Sequence, residues 1–268
     1  MFHFGFTSRR AGNLPAAIVI AFTLAAPACA ETYFVSPAGS DANDCSERAP
    51  CNTIQAAADK IAVGQVGTVL LADGEYLAGV NVIYHRIVNI RGNCADPGKT
   101  KIRPSAGASA IAAQDGAIVG AMCLVCEAQD GARDARCLHS RQFAIIDHRK
   151  LRFGNMPGGS HISADEISKI NCLGGAEIVG DASVHAVASK GSSIDLNCDI
   201  AIDHPRAFRW FAVATDRAII DATRAKFGGA GAAATTGQQY IVGGGTLINA
   251  GAMPGNRRGE VKNGGIVQ

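Results

Sequence analysis

Two short stretches carry the side chains most capable of chemistry. Ile146-Asp147-His148-Arg149 and Ile202-Asp203-His204-Pro205-Arg206 each set an Asp-His pair after an isoleucine, with arginine one or two positions later. A carboxylate beside a histidine can hold or move a proton, and a nearby guanidinium can hold a sugar acid. Asp147, His148, Arg149, Asp203, His204 and Arg206 are therefore the candidate catalytic set. If the stretches stack two strands apart, their carboxylates lie on the order of 10 Å from one another. That is just outside the roughly 6.5–9.5 Å of an inverting glycosidase. The competing reading is that both are ordinary turns after a strand. Trp210, beside Arg209, is the candidate sugar platform, against a packed core residue as its alternative. Asp195, Asp199 and Asp203 offer oxygen ligands for calcium but read equally well as solvated turns, so no metal and no cofactor is assigned. Gly92 to Thr100 has five residues between its glycines, where a phosphate loop needs four. His85, His161 and His185 stand singly and read as surface or hydrogen-bonded residues.

The environment of these residues follows from the first thirty. Arg9 and Arg10 precede an apolar run from Leu14 to Ala26, which ends at Ala28-Cys29-Ala30. This is the layout of a secretory signal peptide over residues 1–30. The run is short for a membrane span, which needs roughly 20 apolar residues. Cleavage would remove Cys29 and leave eight cysteines, an even number that in an exported chain reads as disulfides. Cys45–Cys51 brackets a short loop. Cys172 and Cys198 are 26 apart, and Cys94 lies 29 from Cys123 and 32 from Cys126. Each such gap is about one repeat, and stacked positions bring Cα atoms within bridging range. Cys123 and Cys126, with Cys137 and His139, could instead form a redox or zinc group, but residues three apart on a strand point to opposite faces. The chain is expected to be secreted or periplasmic, with no membrane contact after cleavage. With 25 Lys+Arg against 23 Asp+Glu the net charge is +2, which gives no basic footprint for nucleic acid.

The elements that must position these groups are short. Ile54, Ala57, Ala58 and Ile61 form one helical face, capped by Asn52 or Thr53 and ended by Gly64. After it come brief β-type runs broken by Gly, Asn and Asp. Isoleucines taken one per run, Ile90, Ile118, Ile145, Ile178, Ile194, Ile219 and Ile241, recur at a mean of about 25 residues, within the range of solenoid repeats. The runs are almost continuously apolar and their connections long, which favours stacked parallel strands over hairpins. Open ends of such a stack invite aggregation, and the lone helix would cover one of them.

Particular residues then carry a resemblance. Tyr33 to Asp41, Pro50 to Ala57, Gly67-Thr-Val-Leu-Leu-Ala-Asp-Gly-Glu-Tyr76 and Ile87 to Gly92 resemble the opening strand, capping helix and first turn of right-handed parallel β-helix proteins of the pectate-lyase-like superfamily. Residues 236–265 resemble the Gly-rich tail of bacterial and phage-associated members. The resemblance implies an all-β fold, a single-stranded right-handed parallel β-helix with an N-terminal capping α-helix. It divides the chain into 31–65 (strand and cap), 66–225 (rungs) and 226–268 (Gly-rich last rung and tail). It also implies a polysaccharide partner. Of the pectate-lyase Trp-Ile-Asp-His stretch only Ile146-Asp147-His148 is present, and the Arg-x-Pro-x-x-Arg signature is missing because Phe208 stands three after Pro205. Two function classes follow. One is a polysaccharide lyase or glycoside hydrolase working along the coil. The other is a non-catalytic envelope or phage-tail-like adhesion protein. Oligomeric state is left open.

Overall fold

The computed structural model describes residues 31–268, so the signal-peptide expectation for 1–30 lies outside the described residues. The chain winds as a parallel β-solenoid with three faces. On the first face the order runs Glu31–Val35, Val66–Leu71, Ile87–Arg91, Ile118–Met122, then the leading halves of Ile145–Phe153 and Lys169–Ile178, then Ser193–Asp195, Ile219–Asp221, Thr246–Ile248 and Ile266–Val267. The second face stacks Gly74–Tyr76, Thr100–Ile102, Val125–Cys126, the trailing halves of those two long strands, Asp199–Ala201 and Lys226–Gly228. The third is an eight-stranded sheet that includes Ser109–Ala113, Arg136–Ser140, Met156–Ala164, Ala182–Ala188, Ala207–Thr215 and Thr236–Gly243.

Alternation within each strand decides what faces in. On the first face Val88, Val119, Ile146, Ile170, Ile194, Ile220 and Leu247 stack in register along one inner column. All seven are buried. On the third face the inner column is Ala113, Ser140, Ala164, Ala188, Ala214 and Val242, small residues that let the walls approach. An aliphatic core suits a chain with only 6% aromatic residues, because each rung must fit on the next at about 4.8 Å. The repeat is real, but the isoleucines chosen from the sequence mark different faces. Ile118, Ile145 and Ile219 point outward from the first face, Ile194 points in from it, and Ile178 lies on the second face.

The helix Ile54–Lys60 packs against Glu31–Val35, Val66–Leu71 and Val80–Val82. Thr53, not Asn52, accepts from the Ala56 amide and caps it. Asp41 braces that cap by accepting from the Asn52 and Thr53 amides. The helix closes at Ile61, ahead of Gly64. Four disulfides tie the coil: Cys45–Cys51, Cys94–Cys123, Cys126–Cys137 and Cys172–Cys198. Among the described residues no helix is long and apolar enough to cross a membrane.

Candidate functional site

The two Asp-His stretches do not meet. Asp147 points outward from the first face, where its register partners are Gly120, Asn171 and, one strand further, Asp195. Asn171 Nδ2 donates to Asp147 Oδ1 at 2.7 Å. Asp203, His204 and Arg206 sit in the loop between the second and third faces. The reason is register. The strand two places on from Asp147 carries Asp195, because the intervening rungs are shorter than half of the 56-residue offset. Within each stretch alternation separates the neighbours as well. His148 turns into the coil and is buried beneath the sheet, while Arg149 is exposed. His148 therefore cannot share a surface site with Asp147. The three aspartates considered for calcium are also spread out: Asp195 ends a first-face strand, Asp199 opens a second-face strand and Asp203 follows it. Among the described residues no three His, Cys, Asp or Glu side chains are placed to hold a metal ion. Cys123, Cys126 and Cys137 are all bridged, which leaves His139 without thiol neighbours for a zinc or redox group.

His139 instead anchors a groove on the third face. Strand alternation sends it outward, in register with Ala112 and Ser163. Its Nε2 lies 3.5 Å from Asp165 Oδ2, at the end of the next strand. Arg136 and Arg141 flank it on its own strand and the turn after it, and Arg141 Nε donates to Gln114 Oε1 at 2.7 Å. Gln55 and Asn81 close the end nearer the helix, with the Asn81 amide donating to Gln55 Oε1 at 2.8 Å. The groove encloses about 430 Å³ and is lined by Gln55, Asn81, Gln114, Arg136, His139 and Arg141 among others.

The electrostatics of His139 favour a free base. Partial burial pushes its pKa below the ordinary histidine value, and the charges of Arg136 and Arg141 push the same way against Asp165. Asp165 Oδ1 is buried and has no hydrogen-bond partner among the described residues, which leaves Oδ2 as the oxygen that faces His139. The arrangement can hold an anion on two guanidinium groups while a neutral imidazole faces it.

Sequence reading missed this group. From the sequence His139 reads only as a metal ligand, and Asp165 carries no signal. The available signal is the clustering of Arg136, His139 and Arg141 within six residues. Its partner on the neighbouring rung needed the register. Trp210 does lie on this face. It is in line with Arg136 through Ser160 and Val184, three strand spacings or about 14 Å along the coil. Its Nε1 donates to Gln238 Oε1 at 3.1 Å, and the Arg209 guanidinium rests 3.9 Å from its ring centre. Trp210 is thus a partly exposed, pinned indole with one face taken by Arg209.

No family model matches the chain, and no curated protein matches it by sequence. Among solved structures it is similar to Escherichia coli YbhC, at a TM-score of 0.50 and 13% identity, over 94% of this chain and 87% of that one. A pectin methyl esterase of rice weevil also aligns, at a TM-score of 0.42 and 14% identity, over 85% of this chain and 91% of that one. The protein is of the parallel β-helix class. The likeness to YbhC extends over nearly the whole coil and bears on the fold.

Proposed function

We propose that the protein binds an acidic polysaccharide along its third face and cleaves it by β-elimination at His139. The observation that carries this is the groove itself, in which a half-buried neutral histidine is set between Arg136 and Arg141 and against Asp165. The arginines would hold the carboxylate of a uronic residue and stabilise charge that develops on it. His139 would take the proton α to that carboxylate. The C4–oxygen bond then breaks, a C4–C5 double bond forms, and the departing oxygen picks up a proton. Asp165 would orient the imidazole and stabilise it once protonated. Trp210, further along the face, gives the chain a second point of contact.

The remaining expectations belong with this reading. Four disulfides suit an oxidising compartment, and support export to the periplasm or outside through residues 1–30. The coil is taken as right-handed, the sense of nearly all parallel crossovers. The helix Ile54–Lys60 is taken as the cap of its N-terminal end, with rungs over 66–225 and a last rung and tail over 226–268.

The test is a panel of polyuronates and neutral glycans followed by ultraviolet absorbance of unsaturated ends. Polyuronates should give the signal and neutral glycans none. His139→Ala should lower kcat by about 10²–10⁴-fold, the usual worth of a positioned base. Arg136→Ala should act chiefly on KM. Saturable polyuronate binding with no unsaturated product would replace the lyase reading by the adhesion one. Neither binding nor product would sink both.

A further inference from the structure

The second Asp-His stretch, which the groove does not use, builds a site of its own. Loop 202–206 leaves the second face and enters the third at Ala207–Thr215. Between it and the preceding rungs lies an enclosed cleft of about 210 Å³. Ile178, Val179 and Ala201 line its apolar side, and Arg152, Glu177, Asp203, His204 and Arg206 its polar side. The loop is held firmly. The Ala207 amide donates to Asp181 Oδ1 at 3.0 Å, and Gly231 backs onto His204 so closely that a Cβ there would meet its backbone carbon at 2.1 Å.

The charges in the cleft are unevenly matched. Arg152 Nε lies 2.8 Å from Glu177 Oε2, so their charges pair although that nitrogen makes no hydrogen bond among the described residues. Arg206 has no ion pair among the described residues, and its Nε is sealed from solvent with no hydrogen-bond partner. A guanidinium donor in that position leaves a hydrogen bond unmade, which is unfavourable. Arg206 itself lines the cleft with its charge unpaired, so an arriving anion would find a partner there. The carboxylates of Glu177 and Asp203 on the same rim can each accept from hydroxyl groups. A ligand that carries one carboxylate and several hydroxyls therefore matches Arg206, Glu177 and Asp203 together, and 210 Å³ holds one such ring.

We propose that this cleft binds a single uronic-acid residue, with the sugar carboxylate on Arg206 and its hydroxyls on Glu177 and Asp203. The choice of sugar acid rests on the acidic-polysaccharide reading above. The site is separate from the groove, because Arg206 precedes a strand three places along the third face from that of His139. It would take a chain end or a side branch instead of the residue being cleaved.

Calorimetric titration of D-galacturonate and D-glucuronate, against galactose and glucose, tests this on the whole protein and on His139→Ala. Both proteins should bind the uronates alike, and at least tenfold more tightly than the neutral sugars. Arg206→Gln should weaken uronate binding at least tenfold, and Arg206→Lys, which keeps the charge and loses the fork, should fall between. Melting curves of the variants report on folding. Uronate binding that is unchanged in Arg206→Gln overturns the proposal, as does absence of saturable binding to the wild type. Displacement by equimolar sulfate overturns the sugar assignment. A tighter complex with oligouronates than with the monomer identifies a chain end as the source, and equal affinity identifies the free sugar. Loss of the cleft leaves turnover at His139 untouched, and loss of turnover leaves Arg206-dependent binding, so the two readings fail separately.

Discussion

Three imidazoles lie inside the coil, where a small aliphatic core would be expected. His148, His161 and His185 are buried and cluster with Phe153, Phe208 and Phe211, ring centres 4.7–6.2 Å apart. His161 Nε2 is 2.9 Å from the Gly154 carbonyl and so carries the hydrogen. Its Nδ1 then accepts from His185 Nδ1, 3.0 Å away. Among the described residues His185 Nε2 and both nitrogens of His148 have no partner. Burial drives all three toward the neutral form, His148 and His161 to about 4 and His185 well below the usual value, with the charge of Arg206 adding to the effect at His161. Unfolded histidines take up protons near 6.5. The native state therefore has its full stability above about pH 6.5 and loses it as pH falls toward 4. Each of His148 and His161 should cost about 2 kcal/mol at pH 5. Urea melts at pH 7 and pH 5 should show the drop, and His148→Phe should remove about 2 kcal/mol of it. An unchanged pH slope in that variant would refute the assignment. The sequence hid this cluster because His161 and His185 stand alone in it. Residues 160–164 are buried without interruption, and only the neighbouring rungs reveal what they touch.

Among the elements, the turn from the third face to the first explains how much of the fold could be read. It repeats as two left-handed residues: Tyr84-His85, Asp115-Gly116, Gln142-Phe143, Glu166-Ile167, Lys190-Gly191, Asp216-Arg217 and Asn263-Gly264. Where Gly, Asn or Asp occupies the doublet, the turn was visible as a break in the apolar pattern. Phe143 and Ile167 are apolar and carry no such mark, although the chain bends there. The strain is real at Ile167, which has φ 61° and a side chain 61% exposed. A β-branched residue in this conformation costs roughly 1–2 kcal/mol, and little burial offsets it. Ile167→Asn should stabilise the protein by about 1 kcal/mol, seen as a higher urea midpoint at constant m. A lower midpoint would mean that Ile167 packs in solution.

Taken whole, the molecule was legible where chemistry is local and obscure where it spans rungs. Stacked parallel strands, the lone helix and the Cys45, Cys94 and Cys172 bridges all follow from residues close in sequence or one repeat apart. The His139–Asp165 contact does not, because it joins two unremarkable positions whose meeting depends on register. Asp147 and Asp203 lie apart for the same reason, since turns of unequal length put them on different parts of the coil. Cys126–Cys137 closes part of a single rung, a spacing that the repeat length does not predict.

The placement of the bridges also sets how the coil responds to force. Cys94–Cys123 and Cys172–Cys198 fasten neighbouring rungs, and every disulfide lies at or before Cys198. A solenoid pulled by its ends comes apart rung by rung, since each turn holds only to its neighbours. Tension applied at the two termini should peel the strands after Cys198 one at a time, and the Cys172–Cys198 staple should then keep the residues it encloses out of the extension. In an optical trap the first releases should be short and sequential, and a reductant should lengthen the extension that follows. The same end of the coil is then a built-in spring, soft toward the C-terminus and latched toward the N-terminus.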